Sequence, residues 1–192
     1  MIQLFETMKS ALERRENVVL CSILASSGSA PRGAGAKMAV FQNGQALGTI
    51  GGGAVERIAA QQAMDLFRTG ASYCQAFCLA PNQVNDIGMI CGGSVTVYFR
   101  FFDHENARDL ELVKTILELL ASGQDAWLVS RMEDGKITAM GTFDEAHGLR
   151  FAELDEAMLR PWLTSSAVYR KGEPSYYVDN PLSAKIWEAS EN

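Results

Sequence analysis

The chain has 192 residues, 47% apolar and 21% charged, with a formal net charge of −6. That length buries a sizeable core in one domain, or in one domain with a small appendage. The acidic balance and the absence of a Lys/Arg cluster exclude a general nucleic-acid binder, and no apolar run is long enough for a membrane span.

In chain order, Ile2, Phe5, Met8, Ala11 and Leu12 recur at helical spacing, which predicts a first helix over residues 2–15. The segment is charged and amphipathic, unlike a secretory signal. Val18 to Ala25 is a short apolar run and reads as a buried strand. Ser26 to Ala36 is small, Gly-rich turn sequence with one proline. Two extended runs, Lys37–Gln42 and Gln45–Ile50, flank Asn43-Gly44 and predict a hairpin with positive φ at both central residues. A helix is expected from about Ala54 to Thr69, stopped by Gly70. A strand over Ser72–Leu79, a loop over Ala80–Gly93 and a strand over Ser94–Phe102 follow. Beyond them come a helix over Glu105–Leu120, strands at Ala126–Met132 and Ile137–Phe143 around a Glu133–Lys136 turn, and strands at Ser166–Arg170 and Ser175–Val178. A short helix over Leu182–Ala189 closes the list. Helices and strands do not alternate as regular βαβ units, so the expected class is α+β, a mixed sheet with flanking helices.

Three glycine-bearing turns are candidates for chemistry. The first, Ile50 to Glu56, places Gly51, Gly52 and Gly53 before a helix. It lacks the Lys-Ser/Thr of a Walker loop, and Glu56 stands where a dinucleotide fingerprint has its third glycine. Two readings stay open. In one, Gly53 simply caps the helix, with Glu56 complementing its dipole. Alternatively the bare backbone admits a flat ligand, and Glu56 accepts hydrogen bonds from a donor-rich ring edge. The second turn, Ser27 to Met38, offers Ser29, amides around Gly33 and Gly35, and the charges of Arg32 and Lys37 for an anion, or is an ordinary surface loop. The third, Met89 to Gly93, sets Cys91 beside Gly92 and Gly93, either as a soft metal or sulfur ligand or as a buried structural thiol. Cys21, Cys74 and Cys78 fall within predicted strands and read as core. With no CxxC pair and both histidines distant, a structural zinc site is not expected. Four thiols in a chain without a signal suit a reducing cytoplasm.

These stretches, in this order, resemble the XdhC/CoxI family of xanthine dehydrogenase accessory factors. Ser29, Pro31, Arg32, Gly35 and Met38 match an S-x-P-R-x-x-G-x-x-M stretch. Gly48, Ile50, Gly51, Gly52, Gly53 and Glu56 match G-x-I-G-G-G-x-x-E, and Met89, Cys91, Gly92 and Gly93 match M-x-C-G-G. The likeness covers about residues 10–102 and continues more loosely to Tyr177. It implies a chaperone, not an enzyme with catalytic residues of its own. Such a protein holds molybdenum cofactor (molybdopterin) while a cysteine desulfurase partner supplies its terminal sulfur, then passes it to an apo molybdenum hydroxylase. On that resemblance Arg32 and the nearby amides suit the cofactor's phosphate, Glu56 its pterin edge, and Cys91 the molybdenum or the sulfur. A homodimer is a further implication.

The resemblance also divides the chain into an XdhC/CoxI-like region over 1–102 and an α+β continuation over 103–192, which is expected to pack on the first half because no Pro/Gly/Ser-rich linker divides the two. Family members usually continue into a Rossmann domain, which is missing here after about residue 182. The chain is then either a piece of a longer protein or a member whose second domain is separate or absent. Two rivals remain: a small sulfur-transfer or redox enzyme using Cys91, and a pure protein-interaction module.

Overall fold

The computed structural model describes residues 1–27, 34–78, 94–134, 136–152, 155–163, 167–170 and 175–179. The predicted 182–189 helix lies outside them. The elements are α1 (Ile2–Glu13), β1 (Val18–Ser27), β2 (Lys37–Phe41), β3 (Ala46–Gly48), α2 (Gly53–Thr69), β4 (Tyr73–Cys78), β5 (Ser94–Phe102), α3 (Ala107–Ser122), β6 (Ala126–Glu133), β7 (Lys136–Asp144), β8 (Gly148–Arg150), α4 (Glu156–Leu159), β9 (Ala167–Arg170) and β10 (Ser175–Asp179). The class is α+β.

Among the described residues ten strands join in one sheet, in the order β3-β2-β1-β5-β4-β7-β6-β10-β9, with β8 pairing β7. A mixed sheet was expected, but every described pairing is antiparallel. Hairpins and returns through the helices need no parallel crossover. The sheet curls far enough to bring β9 back against β1. Near its middle, β4 and β7 meet through a single pair, Tyr73 with Lys136.

β1 is apolar from Val18 to Ala25 except at Ser22, because both its faces are covered. Val19, Cys21 and Ile23 pack with Val55, Ala59, Ala63 and Leu66 of α2. Leu20 and Leu24 face the other way, against Phe5, Met8 and Leu12 of α1 and Val113 and Ile116 of α3. That second cluster also takes in Leu128, Met132 and Met140, so the first and second halves of the chain share a core. A third cluster joins Trp127, Val129 and Phe143 to Leu159, Leu163 and Val178. No helix among the described residues is long and apolar enough to cross a membrane.

The helix ends follow local chemistry. Gly70 and Gly123 close α2 and α3 in the left-handed conformation. Asn106 caps α3 by accepting the amide of Arg108 at 3.1 Å, so the helix begins later than its apolar pattern suggests. The Asn43-Gly44 hairpin is present, but its turn differs from expectation. Gly44 has φ +81° and Asn43 is not among the positive-φ residues. The Gly44 amide bonds to the Phe41 carbonyl and the Phe41 amide to Gln45, the pattern of a type I turn closed by a glycine bulge. Asn43 stays in the right-handed region and its Oδ1 accepts the Gln45 amide. The short β8 and α4 were not anticipated. They lock together through Glu156, whose Oε1 accepts the Leu149 amide at 2.8 Å.

Candidate functional site

The described strand ends converge. β1 finishes at Ser27 opposite Ser94, where β5 begins, and Cys78 at the end of β4 is also opposite Ser94. β1 and β4 therefore stop, and β5 starts, at one end of the sheet. β2 starts at Lys37 opposite Ser22, and Gly48 at the end of β3 is opposite Met38, so the turn after Gly48 heads the same way. Lys37 and Gly48 sit lower on the sheet, since the five residues from Ser22 to Ser27 span about 16 Å. The amide of Gly35 bonds to the Ile23 carbonyl at 2.8 Å and holds the returning chain on β1.

The turn from Thr49 to Gly53 is built from within. Its amide at Thr49 bonds to the Lys37 carbonyl at 2.9 Å, and Ile50 is buried under α2. Gly51, Gly52 and Gly53 then take φ of +126°, +81° and +62°. Side-chain-bearing residues reach that region at about 1–2 kcal/mol each, which accounts for three glycines in succession. The Glu56 carboxylate returns to close the turn. Its Oε1 accepts the Ile50 amide at 3.0 Å, the Gly52 amide at 2.7 Å and the hydroxyl of Thr49. The same Thr49 oxygen accepts the Gly51 amide at 3.2 Å. This resembles a capping box displaced by one residue, because Glu56 is the fourth helical residue after the cap position at Gly52. Partial burial disfavours the Glu56 carboxylate, but the hydrogen bonds from Thr49 and from the Gly52 and Ile50 amides outweigh it and hold its proton affinity below the ordinary glutamate range. Oε2 makes no hydrogen bond among the described residues.

The outer side of this turn is open. A Cβ added at Gly52 or Gly53 would meet nothing within 4 Å. Gly52 provides no side-chain cap at the N-terminus of this 17-residue helix. An arrangement of that kind can receive the flat face of a ligand and a partial negative charge.

Of the residues singled out in the sequence, Gly35, Lys37, Gly51, Gly52, Gly53 and Glu56 lie on these adjoining turns. Gly35 is buried with φ +92°. Lys37 is only 3% exposed and its Nζ donates to the Gly35 carbonyl at 3.2 Å. It therefore braces the turn from inside. Ser29, Arg32, Gly33, Cys91, Gly92 and Gly93 lie outside the described residues. Thr49 went unnoticed in the sequence, although a hydroxyl two residues before the glycines was the available signal. Among the other thiols, burial pushes Cys21 up strongly and Cys74 up to about 11, which leaves both as thiols in the core.

Comparison with known proteins points to a family and to a fold. The model of the XdhC and CoxI family matches residues 11–77. A crystal structure from Bacillus halodurans, described as a xanthine dehydrogenase, has a TM-score of 0.72 at 17% identity, over 94% of this chain and 52% of that one. The chain thus spans about half the length of that structure, and the likeness is one of fold. Among curated proteins none matches significantly.

Proposed function

Starting from residues 11–77 as an XdhC and CoxI family segment, we propose that the chain is an accessory protein that binds molybdenum cofactor as cargo. It holds the cofactor for sulfuration by a cysteine desulfurase and delivers it to an apo molybdenum hydroxylase of the xanthine dehydrogenase type. It acts as a homodimer or docked on another chain.

The observation that carries the reading is the open glycine turn. Three positive-φ glycines present bare backbone on a turn that heads toward the sheet end where β1 and β4 stop and β5 begins. Such a surface fits a planar heterocycle, since no side chain intervenes. The fit at Glu56 is partial. One carboxylate oxygen fixes the turn, and only Oε2 remains for the amino and N–H edge of a pterin. Glu56 is thus mainly a positioning residue. The bound cargo supplies the metal and the sulfur-accepting position. The chain's own residues bind and orient it.

The test is release of cargo. Protein purified from cofactor-replete cells is denatured and oxidised, and fluorescent pterin is measured against chain concentration. Close to one pterin per chain, with no turnover by the protein alone, is expected. If none is released and purified protein takes none up, the reading fails and an interaction module replaces it. Arg32→Ala and Glu56→Ala, measured separately, both raise the dissociation constant; no change in either removes the site as described.

A further inference from the structure

A second concave site lies on the opposite face of the sheet from α2. Arg100 is paired with Leu20 near the far end of β5, six residues from Ser94, or about 20 Å along the strand. It shares a face with Tyr98 and Phe102, which pack in the α1 and α3 core. There, the start of α3, the end of β5 and the β6–β7 ribbon enclose an open cleft of ≈ 410 Å³. Arg100, Arg108 and Arg131 line it, with Asp109 the one carboxylate among the described lining residues, in a chain of net charge −6.

Asp109 does not neutralise all three. It is buried and bonded to Arg100 Nη2 at 2.6 Å, and it also accepts the Asp103 amide at 2.8 Å. Arg100 is held in addition by the Phe101 carbonyl and lies 4.8 Å from the centre of the Phe102 ring. Its charge is matched by Asp109 and its fork is fixed. Arg108 has no carboxylate partner among the described residues. It is oriented by donating to the Phe151 carbonyl at 2.7 Å. Arg131 gives one hand to Glu133, which is outside the lining, while its Nε is buried and lacks an acceptor among the described residues. The Arg131 side chain as a whole is 35% exposed and lines the cleft. Leu112, Met140 and Phe151 add an apolar part to the wall.

We propose that this cleft binds a small organic oxyanion, phosphate- or carboxylate-bearing, with Arg108 and Arg131 as the anion-holding pair. Arg100 is fixed behind them as a background charge. The volume suits a small molecule. Planar guanidinium forks suit the paired oxygens of phosphate or carboxylate. The site is separate from the glycine turn and does not rest on the cofactor-carrying reading.

Isothermal titration of the full chain with inorganic pyrophosphate, citrate and phenyl phosphate tests it. At least one probe binds saturably at one per chain. Arg108→Gln and Arg131→Gln each weaken that binding about tenfold, the loss of one charge-assisted contact. Arg68→Gln, on the outer side of α2 and 78% exposed, leaves it unchanged. Circular dichroism confirms that each variant is folded. Loss of affinity in either or both cleft variants, with Arg68→Gln unaffected, supports the site. No saturable binding by any probe, wild-type affinity in both cleft variants, or an equal loss in Arg68→Gln overturns it.

Discussion

The carboxylate of Glu56 accepts the amide of Gly52 at 2.7 Å, four residues back along the chain, and so ties the first turn of α2 to the glycines that precede it. The Ile50 amide and the Thr49 hydroxyl meet the same oxygen. Glu56→Ala leaves these donors without their acceptor and lowers stability by about 1–3 kcal/mol. Urea unfolding reads this as a lower midpoint at unchanged slope. Glu56→Gln retains a neutral acceptor and loses less. Equal stability of all three proteins would show that the turn holds its shape without the carboxylate.

Acid separates the charge of Glu56 from its size. In the folded chain its carboxyl binds a proton less readily than the ordinary value of about 4.3 in an unfolded chain. The unfolded state therefore gains protons first as pH falls. The stabilisation is complete above about pH 5 and is lost as pH falls through the depressed folded value. The gap in stability between wild type and Glu56→Gln stays constant from pH 7 to about 5 and narrows below about 4. Melts across that range check it, and a gap that widens in acid contradicts the assignment.

Glycines near this turn answer differently to one added methyl group. At Gly48, φ is +89° and a Cβ would lie 2.5 Å from the Lys37 carbonyl oxygen and 2.7 Å from Leu4 Cδ1. Gly48→Ala costs about 3 kcal/mol or more, from strain and overlap together. Gly52→Ala meets open space and costs about 1–2 kcal/mol, from its φ alone. If cargo lies against the turn, Gly52→Ala reduces its uptake far more than its modest effect on unfolding explains. Unaltered uptake would place the cargo elsewhere.

The Arg100–Asp109 pair joins β5 to α3, and Asp109 is buried. Asp109→Ala abandons a guanidinium that is mostly covered and costs about 3 kcal/mol. The double change Arg100→Met with Asp109→Leu recovers most of the loss, because no charge is then left without its partner. Chemical denaturation of the single and double variants measures the coupling.

Alkylation resolves the cysteines. Cys74 is pushed up to about 11 and its Sγ lies 3.3 Å from the Met132 sulfur, while Cys21 is wholly buried. At pH 8 about one Cys74 in a thousand is a thiolate. Brief treatment of the folded chain with iodoacetamide, followed by peptide mass mapping, leaves Cys21 and Cys74 unmodified. Early labelling of Cys21 or Cys74 would refute their placement.

Much of the fold was legible because local signals agreed with burial. Val19 and Leu20 belong to an unbroken apolar run, and a sheet covered on both faces explains it. Gly70 and Gly123 stopped their helices where expected. The Asn43-Gly44 signal located a hairpin but not its turn type, since a lone glycine at the bulge position serves as well as two positive-φ residues. β8 and α4 are too short for periodicity to register. At the site, the three glycines declared an unusual backbone, but Glu56 gave no hint whether its acceptors faced a ligand or its own loop. The arginine cleft was invisible for another reason. Positions 100, 108 and 131 become neighbours only through the curl of the sheet and the descent of α3, and neither is written in sequence spacing.

The lone rung between Tyr73 and Lys136 has a mechanical consequence. Across that seam the sheet's two wings adhere by side chains, with Met132 and Met140 of one wing in the same cluster as Leu20 and Tyr98 of the other. Such a joint resists sliding weakly. Under tension applied through residues 41 and 144, the wings part there before either ribbon unzips.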